Sequence, residues 1–167
     1  MDLDWLWPLL AGSALTYGFT SLEGLRSRRH QDRRDAREQV SRALDIATSV
    51  YDEVTVAQAK NRFASDAVDP ASAAFYQLAA IEEKLPDPGV REAVKLTGYI
   101  LNVAQAADHL AVWPEGAGRV QVAAVSRLRR ILGAAVRGER KIPREDLDWL
   151  RARRHEAETA IDEALNS

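Results

Sequence analysis

Eighteen consecutive residues, Trp5–Leu22, carry no charged side chain and run straight into a knot of arginines. A helix rises about 1.5 Å per residue, so this segment reaches about 27 Å, enough for the hydrocarbon core of a bilayer. Gly12, Ser13, Thr16, Gly18, Thr20 and Ser21 dilute its leucines. Trp5 and Trp7 stand at one end, where amphipathic rings favour the headgroup level. Pro8 lies in the first turns, where a missing N–H costs least.

The charge step across the segment is sharper than its apolarity. Asp2 and Asp4 are the charged side chains before it, and Arg26, Arg28, Arg29, Arg33, Arg34 and Arg37 follow. Positive-inside bias then predicts a single-pass helix in the inner (cytoplasmic) membrane, N-terminus outside and C-terminal domain in the cytoplasm. A cleavable leader fits poorly, because no basic n-region and no small-residue cleavage site precede the arginines. Arg26, Arg28, Arg29, Arg33 and Arg34 are expected to fix topology and touch anionic lipid, each contributing on the order of 1 kcal/mol. Gly12, Thr16, Thr20 and Gly24 recur every four residues, a small-residue stripe that suits helix pairing in lipid and makes homo-oligomerisation an expectation.

The rest of the chain reads as helix. Strand-like alternation is nearly absent, and glycine and proline sit mostly between apolar-periodic runs. The expected fold is all-α: an N-terminal transmembrane helix followed by a four- to five-helix antiparallel bundle. Residues 1–25 form the anchor, 26–64 a basic juxtamembrane helix, and 65–167 the cytoplasmic bundle. Val40, Leu44, Ala47, Tyr51 and Val54 alternate by four and three, a coiled-coil-like seam of about two heptads. Asp69-Pro70 and Asp87-Pro88 pair an N-cap residue with proline at the first helical position. Leu78, Ile81 and Leu85 mark the helix between them. Ala93, Leu96, Ile100, Val103, Ala107 and Leu110, widened by Val94, Leu101, Ala104 and Ala111, predict the most buried helix. Trp113-Pro-Glu-Gly-Ala-Gly118 is a loop. A further helix ends at about Arg137, with Gly138 as its C-terminal stop. Pro143 opens the last, whose stripe is Leu147, Leu150, Ala157, Ile161 and Leu165.

The chemistry this composition excludes is informative. There are no cysteines, which removes disulfides, thiolate zinc sites and cysteine nucleophiles. A net charge of −2 makes a nucleic-acid partner unlikely. His30, His109 and His155 fall on separate helices and share no ligand spacing, so no metal or other cofactor is expected. No Gly-rich phosphate loop or nucleophile elbow is present. The expectation is therefore a protein without enzymatic activity. Abundant alanine, and arginine in excess of lysine, associate with a GC-rich bacterial genome.

Charge is distributed unevenly. From Arg119 to Arg154 there are eleven basic residues against four acidic ones; from Asp45 to Glu92, nine acids face four bases. Arg127, Arg129 and Arg130, with Arg151, Arg153 and Arg154, make a candidate basic face for anionic lipid headgroups or nucleic acid, or a solvated face paired with the acidic middle of another helix or subunit. Arg151-Ala-Arg-Arg-His155 resembles, over five residues, the arginine–histidine motif of helical RNases of the HEPN type, although Ala152 stands where that motif has a polar residue. The functional expectation is a membrane-anchored interaction or scaffold protein that binds a protein partner at the inner membrane face. A membrane-acting effector or holin-like toxin is the first alternative, and a tethered helical RNase the second.

Overall fold

The computed structural model describes the backbone of residues 6–59, 70–139 and 141–167, and the side chains of 31–32, 34–59, 76–139 and 141–167. The described residues form five α-helices and no strand: α1 (Leu6–Ala59), α2 (Pro70–Glu82), α3 (Pro88–His109), α4 (Ala117–Val136) and α5 (Arg144–Leu165). The chain divides into two compact units, 1–36 and 37–167. The boundary falls inside α1, which is one continuous helix rather than two. Among the described residues no helix is long and apolar enough to cross a membrane. Trp5–Leu22 lies outside the residues whose side chains are described.

Within the second unit α3 is the central element, packed against α2, α4 and α5, while α4 also meets α5. Its breadth of apolar surface explains this position: Val90, Ala93, Val94, Leu96, Ile100, Leu101, Ala104 and Ala107 are all buried. The row stops short of its expected end, for Leu110 and Ala111 are exposed. Opposite it, α4 buries Val120, Ala124, Val125, Leu128, Ile131 and Leu132. Leu147, Leu150 and Ala157 of α5 close the core, whereas Ile161 is half-buried and Leu165 is exposed.

Three of the five residues expected on the α1 seam, Val40, Ala47 and Val54, are buried. Val40, Ala43, Ala47, Val50 and Val54 are buried, and Leu44 and Tyr51 are half-buried beside them. Val40, Ala47 and Val54 belong to both the expected and the observed set; Ala43 and Val50 take the alternate places expected for Leu44 and Tyr51, one residue away on the same side of the helix.

Helix ends follow local chemistry. The Asp87 carboxylate accepts from the N–H groups of Gly89 and Val90 at 2.8 and 3.0 Å, capping α3 ahead of Pro88. α3 and α4 finish alike. Val112 N–H donates to Ala107 C=O and Ala111 N–H to Asp108 C=O; Glu139 N–H donates to Ala134 C=O and Gly138 N–H to Ala135 C=O. These are Schellman motifs, which need a left-handed residue just past the cap. At the end of α4 that residue is Gly138, with φ 73°; at the end of α3 it is Ala111, with φ 51°. The alanine carries a left-handed cost of roughly 1–2 kcal/mol that glycine avoids, offset by glycine's greater chain entropy. Ala111→Gly is therefore expected to stabilise the protein by about 0.5–1 kcal/mol. Thermal unfolding of the two proteins checks this, and a lower melting temperature for the variant would contradict it.

Candidate functional site

The arginine-rich end of α4 and the start of α5 enclose an open groove of about 1040 Å³. Arg127, Arg129, Arg130, Arg137 and Arg144 line it, against two acids, Glu145 and Asp146. Leu44, Pro143 and Trp149 supply apolar walls, and Gly133 lies among the arginines. The groove belongs wholly to the second unit.

Helical spacing assembles it. Arg130, Gly133 and Arg137 follow one another by three and four, and Arg127 and Ser126 lie one turn earlier on the same side of α4. Leu128, Ile131 and Leu132 turn the opposite side into the core. The proline at 143 then starts α5 with no side-chain hydrogen bond capping its first N–H groups. Residues 143–146, the first turn of α5, face the same groove.

Each guanidinium is held differently. Asp146, buried at 6% exposure, accepts from Arg130 and lies 3.9 Å from Arg127 Nε. The Arg127 guanidinium rests on the Trp149 ring, 4.2 Å from its centroid, and Arg129 lies 4.6 Å from the Tyr51 centroid. Such stacking orients a guanidinium without neutralising it. The Nε atoms of Arg127 and Arg129 are buried and have no hydrogen-bond partner. Burial pulls the Arg127 pKa below its ordinary value, and the nearby Asp146 charge pulls the other way. Arg137 pairs with Glu139 at 2.7 Å. Arg144 makes no ion pair among the described residues.

The second arginine cluster does not join this groove. Arg151 is bidentate on Glu92, at 2.7 and 2.8 Å, and also donates to Asp148. That hydrogen bond holds the Glu92 carboxyl below the usual glutamate range, although burial opposes it. Arg153 pairs with Glu115 and Glu156, and Arg154 with Glu158. Arg153 also lies 5.3 Å from the Trp149 centroid, so two guanidiniums pack on that ring. Arg151, Arg153 and Arg154 thus meet carboxylates on α3, α5 and the α3–α4 loop. His155 is exposed, and its motif partner Arg151 is engaged by Glu92.

Of the membrane-directed residues, Gly12, Thr16, Thr20, Gly24, Arg26, Arg28, Arg29 and Arg33 lie outside the described side chains, and Arg34 is exposed. Among the described residues no group of three or more His, Asp or Glu is placed to hold a metal ion. Arg137, Arg144 and Gly133 are groove residues that the charge clusters did not single out. The period of three and four from Arg127 to Arg137 was the available signal for Gly133 and Arg137; Arg144, on α5, lies outside it. Comparison with protein-family models, with characterised proteins and with solved structures finds no match to this chain.

Proposed function

We propose that this protein is a membrane-anchored helical bundle that works by binding, and that the arginine groove is where it takes an anionic partner. The observation that carries the binding reading is the convergence of five arginines on one open groove lined by only two acids. Such a concentration of one sign focuses field and steers a partner of opposite charge. Arginine suits the task because its planar fork recognises carboxylate and phosphate groups bidentately and is never discharged. The anchor reading rests on the uncharged Trp5–Leu22 segment and on the arginines that follow it. A second copy of the chain, paired through Gly12, Thr16, Thr20 and Gly24, accords with the same reading.

Two measurements on the full chain in native membranes test the two halves separately. The protein is expected to stay in the membrane pellet through alkaline carbonate; quantitative release overturns the anchor. Chemical crosslinking from the cytoplasmic side is expected to trap a partner protein that Arg144→Glu loses, since that substitution reverses charge in the groove at an exposed residue. A crosslinked product indifferent to Arg144→Glu overturns the groove as the binding surface.

A further inference from the structure

We infer that the groove binds a phosphoryl group bearing at least two negative charges, presented either by a soluble phosphate ester or by an anionic lipid headgroup. This rests on the groove being a binding site and names its ligand. Asp146 engages Arg130 and lies beside Arg127, and Glu139 engages Arg137. Single carboxylates therefore leave the cluster under-neutralised. Arg129 rests on Tyr51 and Arg144 has no described counter-ion. A compact dianion with three acceptor oxygens matches several guanidinium forks at once, which a single carboxylate does not.

Further features of the groove bear on the ligand. The Nε donors of Arg127 and Arg129 are buried without a hydrogen-bond partner, as is that of Arg153 outside the groove lining. The first turn of α5 lines the groove without a side-chain cap, and its own acids, Glu145 and Asp146, already meet the helix dipole. Both Arg127 and Arg153 pack on the Trp149 ring, so this ring is already occupied by cations and is a poor platform for stacking a base. Finally, Gly133 sits inside α4, where glycine costs about 1 kcal/mol relative to alanine. A Cβ there would come 3.3 Å from the Arg137 guanidinium, the far end of a flexible side chain that would have to give by a few tenths of an ångström. A volume of about 1040 Å³ exceeds what one phosphoryl group fills and leaves room for the molecule that carries it.

Inorganic pyrophosphate is the probe. The full chain in neutral detergent is titrated calorimetrically at constant ionic strength. Saturable binding at one site is expected, weakened about fivefold or more by Arg144→Ala and abolished by Gly133→Leu, whose side chain fills the groove floor. Circular dichroism confirms that each variant is folded. Repeating the titration in phosphatidylcholine nanodiscs, with and without phosphatidic acid, separates the sources. A weaker apparent affinity in the acidic discs assigns the lipid headgroup; an unchanged affinity assigns the soluble ester. Absence of saturable binding, or variants that bind as the parent does, overturns the phosphoryl assignment. If pyrophosphate fails while Arg144→Glu still loses the crosslinked partner, the groove remains a binding site for another anion.

Discussion

Ile100→Ala is expected to lower the unfolding free energy by about 3 kcal/mol. Ile100 is fully buried on α3, the helix that α2, α4 and α5 all pack against. Truncation there removes transfer free energy and leaves a cavity within the core that α3 centres. Helices fixed by several partners collapse poorly into such a void, so the cost falls well inside the 2–5 kcal/mol range for such changes. Against a total stability of about 5–15 kcal/mol this is a large fraction. Leu165→Ala supplies the contrast. It lies on the apolar stripe expected for α5, yet it is 79% exposed, and its truncation is expected to change stability by less than about 0.5 kcal/mol. Urea unfolding followed through the buried Trp113 distinguishes the two, as a shift in midpoint at constant slope. Equal shifts for both variants would mean that α3 is not the centre of the bundle.

The contrast between Ile100 and Leu165 marks how far periodicity reaches. Asp87-Pro88 and Gly138 act over three or four residues, so they were legible as helix boundaries and stand where their chemistry puts them. The breadth of apolar surface from Val90 to Ala107 likewise announced a central helix. On α1 periodicity placed Val40, Ala47 and Val54 inward but could not settle whether Ala43 and Val50 or Leu44 and Tyr51 complete the row, because both choices keep an alternation of three and four. Nor could it separate the two arginine clusters, which look alike in sequence. Arg151 finds Glu92 across 59 positions, a pairing set by how α5 lies along α3. Arg127, Arg129 and Arg130 instead meet the open start of α5, where Arg137 and Arg144 also gather. Tertiary packing decides which cluster is paired off and which lines an open groove, and no local rule carries that information.

Asp146→Asn is expected to move stability and anion binding in opposite directions. The substitution keeps volume and an acceptor oxygen but removes one of the two negative charges lining the groove. Arg130, with its side chain 58% exposed, returns to water at small cost; Arg127, at 27%, is already desolvated against Trp149 and does not. The α5 first turn also loses an acid that its dipole favours. Together these are expected to cost about 2 kcal/mol, below the 3–5 kcal/mol of a fully buried broken pair because Arg130 is half in solvent. The same change removes the carboxylate that competes with an incoming anion for Arg127 and Arg130. Pyrophosphate is therefore expected to bind about fivefold more tightly to the variant, a gain of about 1 kcal/mol for the freed charge. Urea unfolding and calorimetric titration of the same preparation read the two effects independently. Losses of both stability and affinity would show that Asp146 builds the groove instead of competing within it. Loss of stability with a gain in binding is the signature of a site whose arginines are held ready by an internal substitute for the ligand.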